Sequence, residues 1–347
     1  MNKKYKLYLS TLLILAVVFF VLYISAFRLQ VGSPVVAAWW AKSTQDYKDY
    51  YAETISDKKI IISSGSNGLF GVNSAVVQKI TGYPTVNLSN HASLDIHYLF
   101  LQIEEHLKKG DILVMPLEYY YYFNNVDVMN DWFVSNMSAW GKESYLDKIS
   151  TLEYIRLALA IQKHQLWAGL MFMSGDTKIP NREKVISDVL KINQSGPPGY
   201  KGFSHKSLNL HGDMLAFKRP TKMVLEELDK GLDYHLYDGE LSAHFIDNFR
   251  KIQRLAEQRG ATLMLTWPAT MKNKLFNLED PEKREEISKF VDRLDSLDIK
   301  MYCDPKLFNF PVRYFFDNRY HLNAKGARIR SINLAKCIET EIDVKAL

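Results

Sequence analysis

The chain has 347 residues, of which 47% are hydrophobic and 24% charged, and its net charge is +5. This length is enough for one large domain or two small ones, and this composition excludes an intrinsically disordered chain. The positive charge is spread along the chain without a dense run of lysine and arginine, which argues against a nucleic-acid-binding surface. We therefore expect no nucleic-acid partner.

An apolar stretch over residues 7–27 follows three lysines, Lys3, Lys4 and Lys6. About 20 apolar residues let a helix cross a bilayer, and the preceding lysines keep that end in the cytoplasm. A cleaved signal peptide is the alternative, but its apolar region is shorter, about 7–15 residues, and Ser25-Ala26 offers only a poor cleavage site. We expect residues 1–28 to form a cytoplasmic tip and an uncleaved single-pass anchor, with the remainder exported.

Residues 29–58 are predicted to form a helical linker, and strands begin to alternate with helices at residue 59. The predicted elements are strand Lys59–Ser63, helix Asn73–Thr81, strand Pro84–Leu88, helix Leu94–Lys109 and strand Ile112–Met115. This alternation with short turns predicts an α/β domain with a parallel sheet covered by helices on both faces. The functional site of such a domain lies beyond the carboxyl ends of its strands, where Ser66, the turn Asn90–Ser93 and the stretch Pro116–Tyr119 would meet.

Residues 120–235 interrupt this alternation and are predicted to be a helical insertion within a domain of residues 59–347. Inside it, the spacing predicts helices over Thr151–Leu166 and Arg182–Leu190. The alternation then resumes with helix Leu241–Arg259, strand Ala261–Thr266, helix Pro281–Leu297, strand Ile299–Tyr302 and helix Ala324–Glu341, which Asn323 can cap.

The two cysteines, Cys303 and Cys337, have no CxxC neighbour. A disulfide requires their elements to be adjacent, and we expect two unpaired core thiols instead. Neither cysteine lies in a glycine-rich turn, which argues against a cysteine nucleophile. The histidine spacings fit no metal-ligand pattern, so we expect no metal and no cofactor.

Ser66 lies in a turn of small residues between the first strand and a helix. Backbone N–H groups surround a hydroxyl at such a turn, which suits a nucleophile whose reaction builds an oxyanion. A structural or phosphate-type turn is the alternative. The turn lacks the Gly-Lys-Ser/Thr of a P-loop, and Ser64 replaces the first glycine of a G-x-S-x-G elbow.

Asp317 and His321 lie four residues apart, just before the last helix. In a short turn, the aspartate can bend back to accept a hydrogen bond from one imidazole nitrogen, which leaves the other nitrogen for a serine nucleophile. A pair that merely caps the last helix has the same spacing. The spacing alone therefore leaves both interpretations open.

Three stretches together resemble the SGNH (GDSL-like) hydrolase superfamily: Gly65–Asn73, Val86–Ala92 and Asp317–Gly326. The similarity is to its membrane-anchored bacterial branch, which resembles the alginate O-acetylation and teichoic-acid D-alanylation proteins. The resemblance implies a three-layer, flavodoxin-like parallel sheet. It also implies Ser66 as the nucleophile, His321 as its base and Asp317 as the residue that orients the histidine. The oxyanion donors would be the Ser66 N–H and either the Ala92 backbone or the Asn90 side chain.

Two departures from that family pattern concern the oxyanion hole. Ala92 or Ser89 stands where the second turn usually has glycine, and the asparagine after the third strand is replaced within Pro116–Tyr119. Loss of one oxyanion donor typically costs about 2.7–4 kcal/mol of transition-state stabilisation. Four residues near these turns are further candidates for contact with substrate: Asn67, His91, Glu118 and Tyr119.

The resemblance implies a serine acyltransferase or esterase that acts in O-acetylation of a cell-surface or secreted polysaccharide. Its substrate would be a polysaccharide or acylated sugar, and a membrane-bound O-acyltransferase partner would supply the acyl group. The protein would lie in the bacterial inner (cytoplasmic) membrane with its catalytic domain outside. Two alternatives remain: a carbohydrate esterase that removes acetyl groups, and an inactive scaffold subunit of a polysaccharide export or modification complex.

Overall fold

The computed structural model describes residues 3–123, 129–141, 145–171, 179–216, 219–234, 236 and 240–341. The chain divides into two compact units. The first comprises Met1–Trp39 and Asp127–Ile179, and the second comprises Trp40–Val126 and Pro180–Leu347. Residues 127–179 of the predicted insertion 120–235 thus belong to the first unit, and the residues on either side of them belong to the second.

Helices make up most of the regular structure in the described residues. In chain order they are α1 (Lys3–Gln30), α2 (Trp39–Thr54), α3 (Ser66–Gly71), α4 (Ser74–Thr81), α5 (Ile96–His106), α6 (Tyr120–Phe123), α7 (Asp131–Trp140), α8 (Thr151–Ala160), α9 (Lys163–Met171), α10 (Arg182–Asn193), α11 (Lys222–Lys230), α12 (Ala243–Arg259), α13 (Pro281–Asp295) and α14 (Ala324–Glu341). The strands are β1 (Ile60–Ile62), β2 (Thr85–Asn87), β3 (Ile112–Pro116), β4 (Thr262–Thr266), β5 (Thr270–Met271) and β6 (Asn309–Phe310). Short 3₁₀ helices cover His205–Ser207, Pro305–Phe308 and Val312–Tyr314.

A four-stranded parallel sheet forms the centre of the second unit, in the order β2-β1-β3-β4. Ile61 of β1 pairs with Val86 on one side and with Leu113 on the other. The strands β1, β2 and β3 are buried along their whole length, as expected for a parallel sheet with both faces covered. The prediction of an α/β domain with a parallel sheet is therefore confirmed.

Helices cover both faces of this sheet because of the strand order. The crossover from β1 to β2 moves one way along the sheet, and the crossover from β2 to β3 moves the other way. Since such crossovers are right-handed, their helices α4 and α5 lie on opposite faces. The last helix, α14, packs against α4, and α12 packs against α5, which completes the two helical layers.

Local capping residues set the helix boundaries much as the sequence predicts. The Asn73 side chain accepts from the Val76 N–H at the start of α4. Gly82 and Gly260 end α4 and α12 with φ of 76° and 58°, in the left-handed region that glycine adopts most easily. The helix α5 begins two residues later than predicted because Asp95 caps it by accepting from the His97 N–H.

The predicted strand Ile299–Tyr302 is wrong. Only one parallel bridge forms there, between Met301 and Leu265 of β4. The backbone takes φ of 58° at Asp298 and 70° at Cys303, just before and just after this segment. Because left-handed residues turn the chain out of an extended path, the segment cannot continue a ladder.

The prediction of two unpaired thiols is also wrong, because Cys303 and Cys337 form a disulfide. Their Cα atoms lie 5.8 Å apart, and the bond joins the segment after Met301 to the last helix, α14. The sequence separation of 34 residues carries no indication that these two elements pack side by side.

The first unit contains α1, one helix among the described residues that is long and apolar enough to span a membrane. It has 28 residues and a mean hydropathy of 2.6 over its most apolar window. The helices α7, α8 and α9 belong to the same unit, and α8 and α9 pack against α1.

Candidate active site

Ser66 is the first residue of α3, directly after the turn that leaves β1. Its neighbours Gly65 and Asn67 donate their backbone N–H groups to the two oxygens of Glu118, at 3.1 Å and 2.9 Å. The Ser66 N–H itself donates to no group in the described part of the chain. The Ser66 N–H, which has no acceptor among the described residues, therefore lies between two N–H groups that the Glu118 carboxylate holds in place.

The carboxylate of Glu118 holds this turn by accepting two of its backbone N–H groups. It is 1% exposed and follows β3, so the carboxylate reaches the turn from the neighbouring strand. Burial raises the pKa of its carboxyl, whereas the backbone hydrogen bonds from Asn67 and Gly65 oppose that rise. The sequence makes Glu118 a candidate for contact with substrate, and the structure instead encloses it beneath Ser66.

Asn67 is fully buried and all its side-chain polar atoms are hydrogen-bonded within the protein. Its amide nitrogen donates to the Pro116 carbonyl at 2.7 Å, and its amide oxygen accepts from Arg330 Nη2 at 2.7 Å. Arg330 Nη1 also donates to the Asn67 carbonyl at 2.8 Å. Asn67, another candidate for contact with substrate, thus ties the turn to β3 and to the last helix, α14.

Arg330 was not identified from the sequence. Its guanidinium is completely buried, and burial lowers its pKa to about 9, while the nearby Glu118 charge acts in the opposite direction. A sequence signal does exist: Arg330 follows the capping residue Asn323 by seven positions and so shares the buried face of α14. A charged residue on a buried helix face indicates a specific internal partner.

The second turn, which follows β2, lies against the first. A Cβ added to Gly65 would lie 2.9 Å from the Ala92 Cα, so only glycine fits there without displacing backbone. The Ala92 N–H donates to no described group. The Asn90 side chain, in contrast, is buried and donates to the Ala41 carbonyl at 2.9 Å and to Gln45 Oε1 at 3.2 Å. Of the two alternatives for a second oxyanion donor, the geometry favours the Ala92 backbone.

Lys48 of α2 anchors the second turn and was also not identified from the sequence. Its Nζ donates to the Ser89 carbonyl in the buried interior. Burial lowers the pKa of the Lys48 amine to about 7, and Asp213 partly opposes that effect. Asp213 in turn accepts from the Asn87 amide at 2.9 Å and from the Ser74 hydroxyl at 2.7 Å, which connects the end of β2 to α4.

Asp317 and His321 are hydrogen-bonded to each other. His321 Nδ1 and Asp317 Oδ1 are 2.7 Å apart, and His321 is 5% exposed. The other ring nitrogen, Nε2, is buried and has no hydrogen-bond partner among the described residues. Phe70, one turn after Ser66 in α3, stacks on the imidazole with ring centroids 4.4 Å apart. The Asp–His pair thus lies against the helix that begins at Ser66.

No hydrogen bond joins Ser66 Oγ and His321 Nε2 in this structure. Ser66 is 8% exposed, and its hydroxyl makes no hydrogen bond with a described group. Catalytic hydrogen bonds are often long in proteins without substrate and shorten when substrate binds. The two groups lie on adjoining elements, since Phe70 of α3 stacks on the His321 ring, and proton transfer requires them to approach to hydrogen-bond distance.

His91, in the second turn, is close enough to His321 for a charge on His321 to affect the His91 imidazole. Burial lowers the pKa of the His91 imidazole to about 4, and the neighbouring His321 acts in the same direction. His91 is therefore neutral near pH 7. Its Nδ1 accepts from the Ser93 N–H at 3.0 Å, so the ring proton resides on Nε2.

Aromatic rings surround the histidines. Trp40 lies 5.9 Å from the His91 ring and 5.1 Å from the Phe203 ring, measured between centroids. Phe203 also meets Phe70 at 5.8 Å, and it is 47% exposed. Tyr119, the fourth candidate for contact with substrate, is instead in the core, where it packs against Tyr234, Phe276 and Phe290.

No protein-family model matches this chain, and a search of curated proteins also finds no match.

Proposed function

We propose that this protein is a membrane-anchored serine acyltransferase or esterase of the SGNH type that acts in O-acetylation of a polysaccharide outside the cytoplasm. The observation that carries the proposal is the Asp317–His321 hydrogen bond, with His321 Nε2 buried, without a partner among the described residues, and packed against the helix that Ser66 begins. A histidine fixed by a carboxylate and beside a serine on a strand-to-helix turn is the constellation needed for nucleophilic acyl transfer.

The chemistry follows from these groups. The Ser66 hydroxyl attacks the carbonyl carbon of an acyl donor, and His321 Nε2 takes the hydroxyl proton. The N–H groups of Ser66 and Ala92 stabilise the oxyanion that forms. The protonated His321 then gives its proton to the leaving group, which departs and leaves an acyl ester on Ser66. A sugar hydroxyl, deprotonated by His321, attacks this ester and regenerates the serine; attack by water gives hydrolysis.

The fold gives the proposal further support. The strand order β2-β1-β3-β4 corresponds to the first four strands of a flavodoxin-like sheet, whose crevice lies between β1 and β3. Ser66 follows β1 and Glu118 follows β3, so both belong to that crevice. The expected three-layer SGNH arrangement is consistent with this order and with helices α4 and α5 on opposite faces of the sheet.

The polysaccharide acceptor is supported by the aromatic rings beside the histidines. Trp40 and the half-exposed Phe203 offer flat apolar faces next to the polar His91. Rings of this kind suit a sugar, which has apolar ring faces and polar edges. A membrane-bound O-acyltransferase remains the proposed source of the acyl group, on the strength of the sequence resemblance.

The proposed location outside the cytoplasm, at a bacterial inner membrane, draws support from two observations. The apolar helix α1 follows lysines at its N-terminal end, which favours a cytoplasmic N-terminus. The Cys303–Cys337 disulfide is the form expected in an oxidising compartment, whereas the cytoplasm keeps such thiols reduced.

An inactive scaffold subunit is the second candidate function, and one observation favours it. Ser66 Oγ and His321 Nε2 are not hydrogen-bonded, and the Asn90 amide is held by Ala41 and Gln45 instead of facing the site. If substrate does not draw the serine and histidine together, the turn would keep its shape without turnover.

The test compares ester cleavage by the full chain in detergent with that of Ser66→Ala, His321→Ala and Asp317→Asn variants, with an acetyl-ester reporter. Ser93→Ala is the matched control, because Ser93 contributes only its backbone N–H to His91. We expect Ser66→Ala and His321→Ala to abolish turnover, and Asp317→Asn to lower kcat by about 10⁴-fold through the wrong imidazole tautomer.

Equal rates in all five proteins would refute the enzymatic proposal and support the scaffold. An acyl group trapped on Ser66, detected by mass spectrometry, would support nucleophilic catalysis directly. Adding a soluble oligosaccharide separates the remaining alternatives: acetyl transfer to the sugar supports the acyltransferase, whereas release to water at an unchanged rate supports the esterase.

A further inference from the structure

Within the first unit, the C-terminal end of α1 packs against α8 and α9. Tyr23 Oη donates to the Ala158 carbonyl at 2.7 Å, and the rings of Phe27 and Tyr154 meet edge to face at 5.5 Å. Phe27 is completely buried, unlike the apolar residues nearer the start of α1. The end of the apolar helix is therefore held by α8.

The same end of α1 also meets α9. A Cβ added to Gly169 of α9 would lie 2.7 Å from the Gln30 Cβ, so α9 approaches the last turn of α1 closely. Gln30 is 2% exposed. Both α8 and α9 thus pack beside the last turns of α1, within one compact unit.

Each of these two helices turns an apolar face away from the protein. On α8, Leu152 and Leu159 are 60% and 57% exposed, and on α9, Trp167 and Met171 are 65% and 62% exposed. The spacings of seven and four residues place each pair on one side of its helix. Large apolar side chains grouped on one side of a helix indicate a surface that contacts another protein or a membrane.

A basic residue accompanies each apolar pair. Arg156 lies between Leu152 and Leu159 on the same side of α8, and Lys163 precedes Trp167 by four residues on α9, and both are exposed. Leucine and tryptophan combined with lysine or arginine on a short helix are the composition of a helix that lies in a membrane interface.

The contacts with α1 show at which level of its apolar run α8 lies. Tyr23, which bonds to α8, precedes Phe27 by four residues, or about 6 Å along the helix axis. The apolar run of α1 extends to Phe27, so Ala158 and its neighbour Leu159 lie at the depth of its last turn. An interfacial helix buries its apolar face about 5–10 Å into the boundary between headgroups and acyl chains.

We propose that α8 and α9 lie in the lipid interface at the C-terminal end of α1, with their four apolar side chains in the acyl boundary and Arg156 and Lys163 at lipid phosphates. These four side chains are exposed, as are the apolar residues in the first half of α1, the helix that is long and apolar enough to span a membrane. The unit thus contacts the bilayer through a spanning helix and a helical pair, independently of any acyl-transfer activity.

The experiment places nitroxide spin labels on single cysteines in the full chain, reconstituted into phospholipid nanodiscs with one third anionic lipid. Both native cysteines are in the disulfide, so an added cysteine is the only free thiol. Labels replace Leu159 and Trp167 in separate proteins. Leu13, which is 66% exposed within the apolar run of α1, provides the lipid reference, and the exposed Asp147 provides the water reference.

We expect the labels at 159 and 167 to be relaxed by oxygen, which concentrates in lipid, and protected from a water-soluble nickel chelate, as at 13. Relaxation by nickel to the level at 147 would overturn the proposal. Protection from both reagents would also overturn it, because that result means a protein–protein contact between copies. Adding Leu152→Glu to the protein labelled at 167 should shift the label from oxygen towards nickel exposure, whereas Leu152→Phe should not.

Discussion

Gly65 is the position at which one methyl group should separate the two turns of the candidate site. Its φ of −75° is open to any residue, so Gly65→Ala introduces no backbone strain and its effect is steric. The new Cβ would lie 2.9 Å from the Ala92 Cα and 2.5 Å from Glu118 Oε1. Carbon atoms pack at about 3.5 Å or more, so the turns must move apart by roughly 0.6 Å.

We expect two measurable consequences from this separation. Overpacking of a closed interior costs about 1–3 kcal/mol, so the free energy of unfolding should fall by that amount. The N–H groups of Ser66 and Ala92 should no longer converge on one oxyanion, and displacements approaching 1 Å can lower rates by about 10²-fold. Turnover should therefore fall by roughly ten- to a hundredfold with little change in KM.

The assay combines urea unfolding, followed by circular dichroism, with acetyl-ester turnover on the same full-chain preparation in detergent. Gly199→Ala is the matched control, because a Cβ at Gly199 meets nothing within 4 Å. It should change stability by less than about 0.5 kcal/mol and leave turnover unchanged. A Gly65→Ala protein as stable and as active as this control would show that the two turns are not in contact, and the oxyanion assignment would fail.

Three further predictions concern stability. Replacing Cys303 and Cys337 by serine should lower the free energy of unfolding by about 4 kcal/mol, the loop-entropy value for a 34-residue separation. A reducing agent should lower the free energy of unfolding of the wild type by the same amount and leave that of the variant unchanged. Because the folded-state pKa of Lys48 is lowered to about 7, the unfolded chain binds one more proton at this residue between pH 7 and 10.5. Lys48 should therefore raise wild-type stability across that window by about 1.4 kcal/mol per pH unit, and Lys48→Met should remove this contribution in urea titrations. Asn73→Ala should cost about 1 kcal/mol in thermal unfolding by removing the cap of α4, whereas Asn73→Asp should retain most of it.

The parts of the fold that the sequence predicts are those decided by local patterns. The continuous apolar run Ile60–Ile62 indicates a strand buried on both faces, and the glycines at 82 and 260 stop helices because they accept left-handed backbone. The four-residue spacing of Asp317 and His321 is likewise local, and it suffices to bring the carboxylate to the imidazole within one turn.

The features that escaped prediction depend on contacts between distant elements. Pairing of Cys303 with Cys337 requires α14 to pack beside the segment after β4, which no local signal encodes. The roles of Glu118 and Arg330 depend on which strands become neighbours, since both reach the Ser66 turn from elements far along the chain. The position of Arg330 on the buried face of α14 indicates that its side chain has an internal partner, but only the tertiary structure identifies that partner.

The bonds from Arg330 to Asn67 have a consequence for the order of folding. The two residues are 263 positions apart, yet the first turn after β1 depends on the last helix for two of its hydrogen bonds. Contacts of such sequence separation form late in folding, because closing so long a loop costs chain entropy before other contacts compensate for it. During synthesis, which proceeds from the N-terminus, we therefore expect the Ser66 turn to remain incomplete until α14 has left the ribosome. Truncated chains that lack α14 should accordingly lack a complete site.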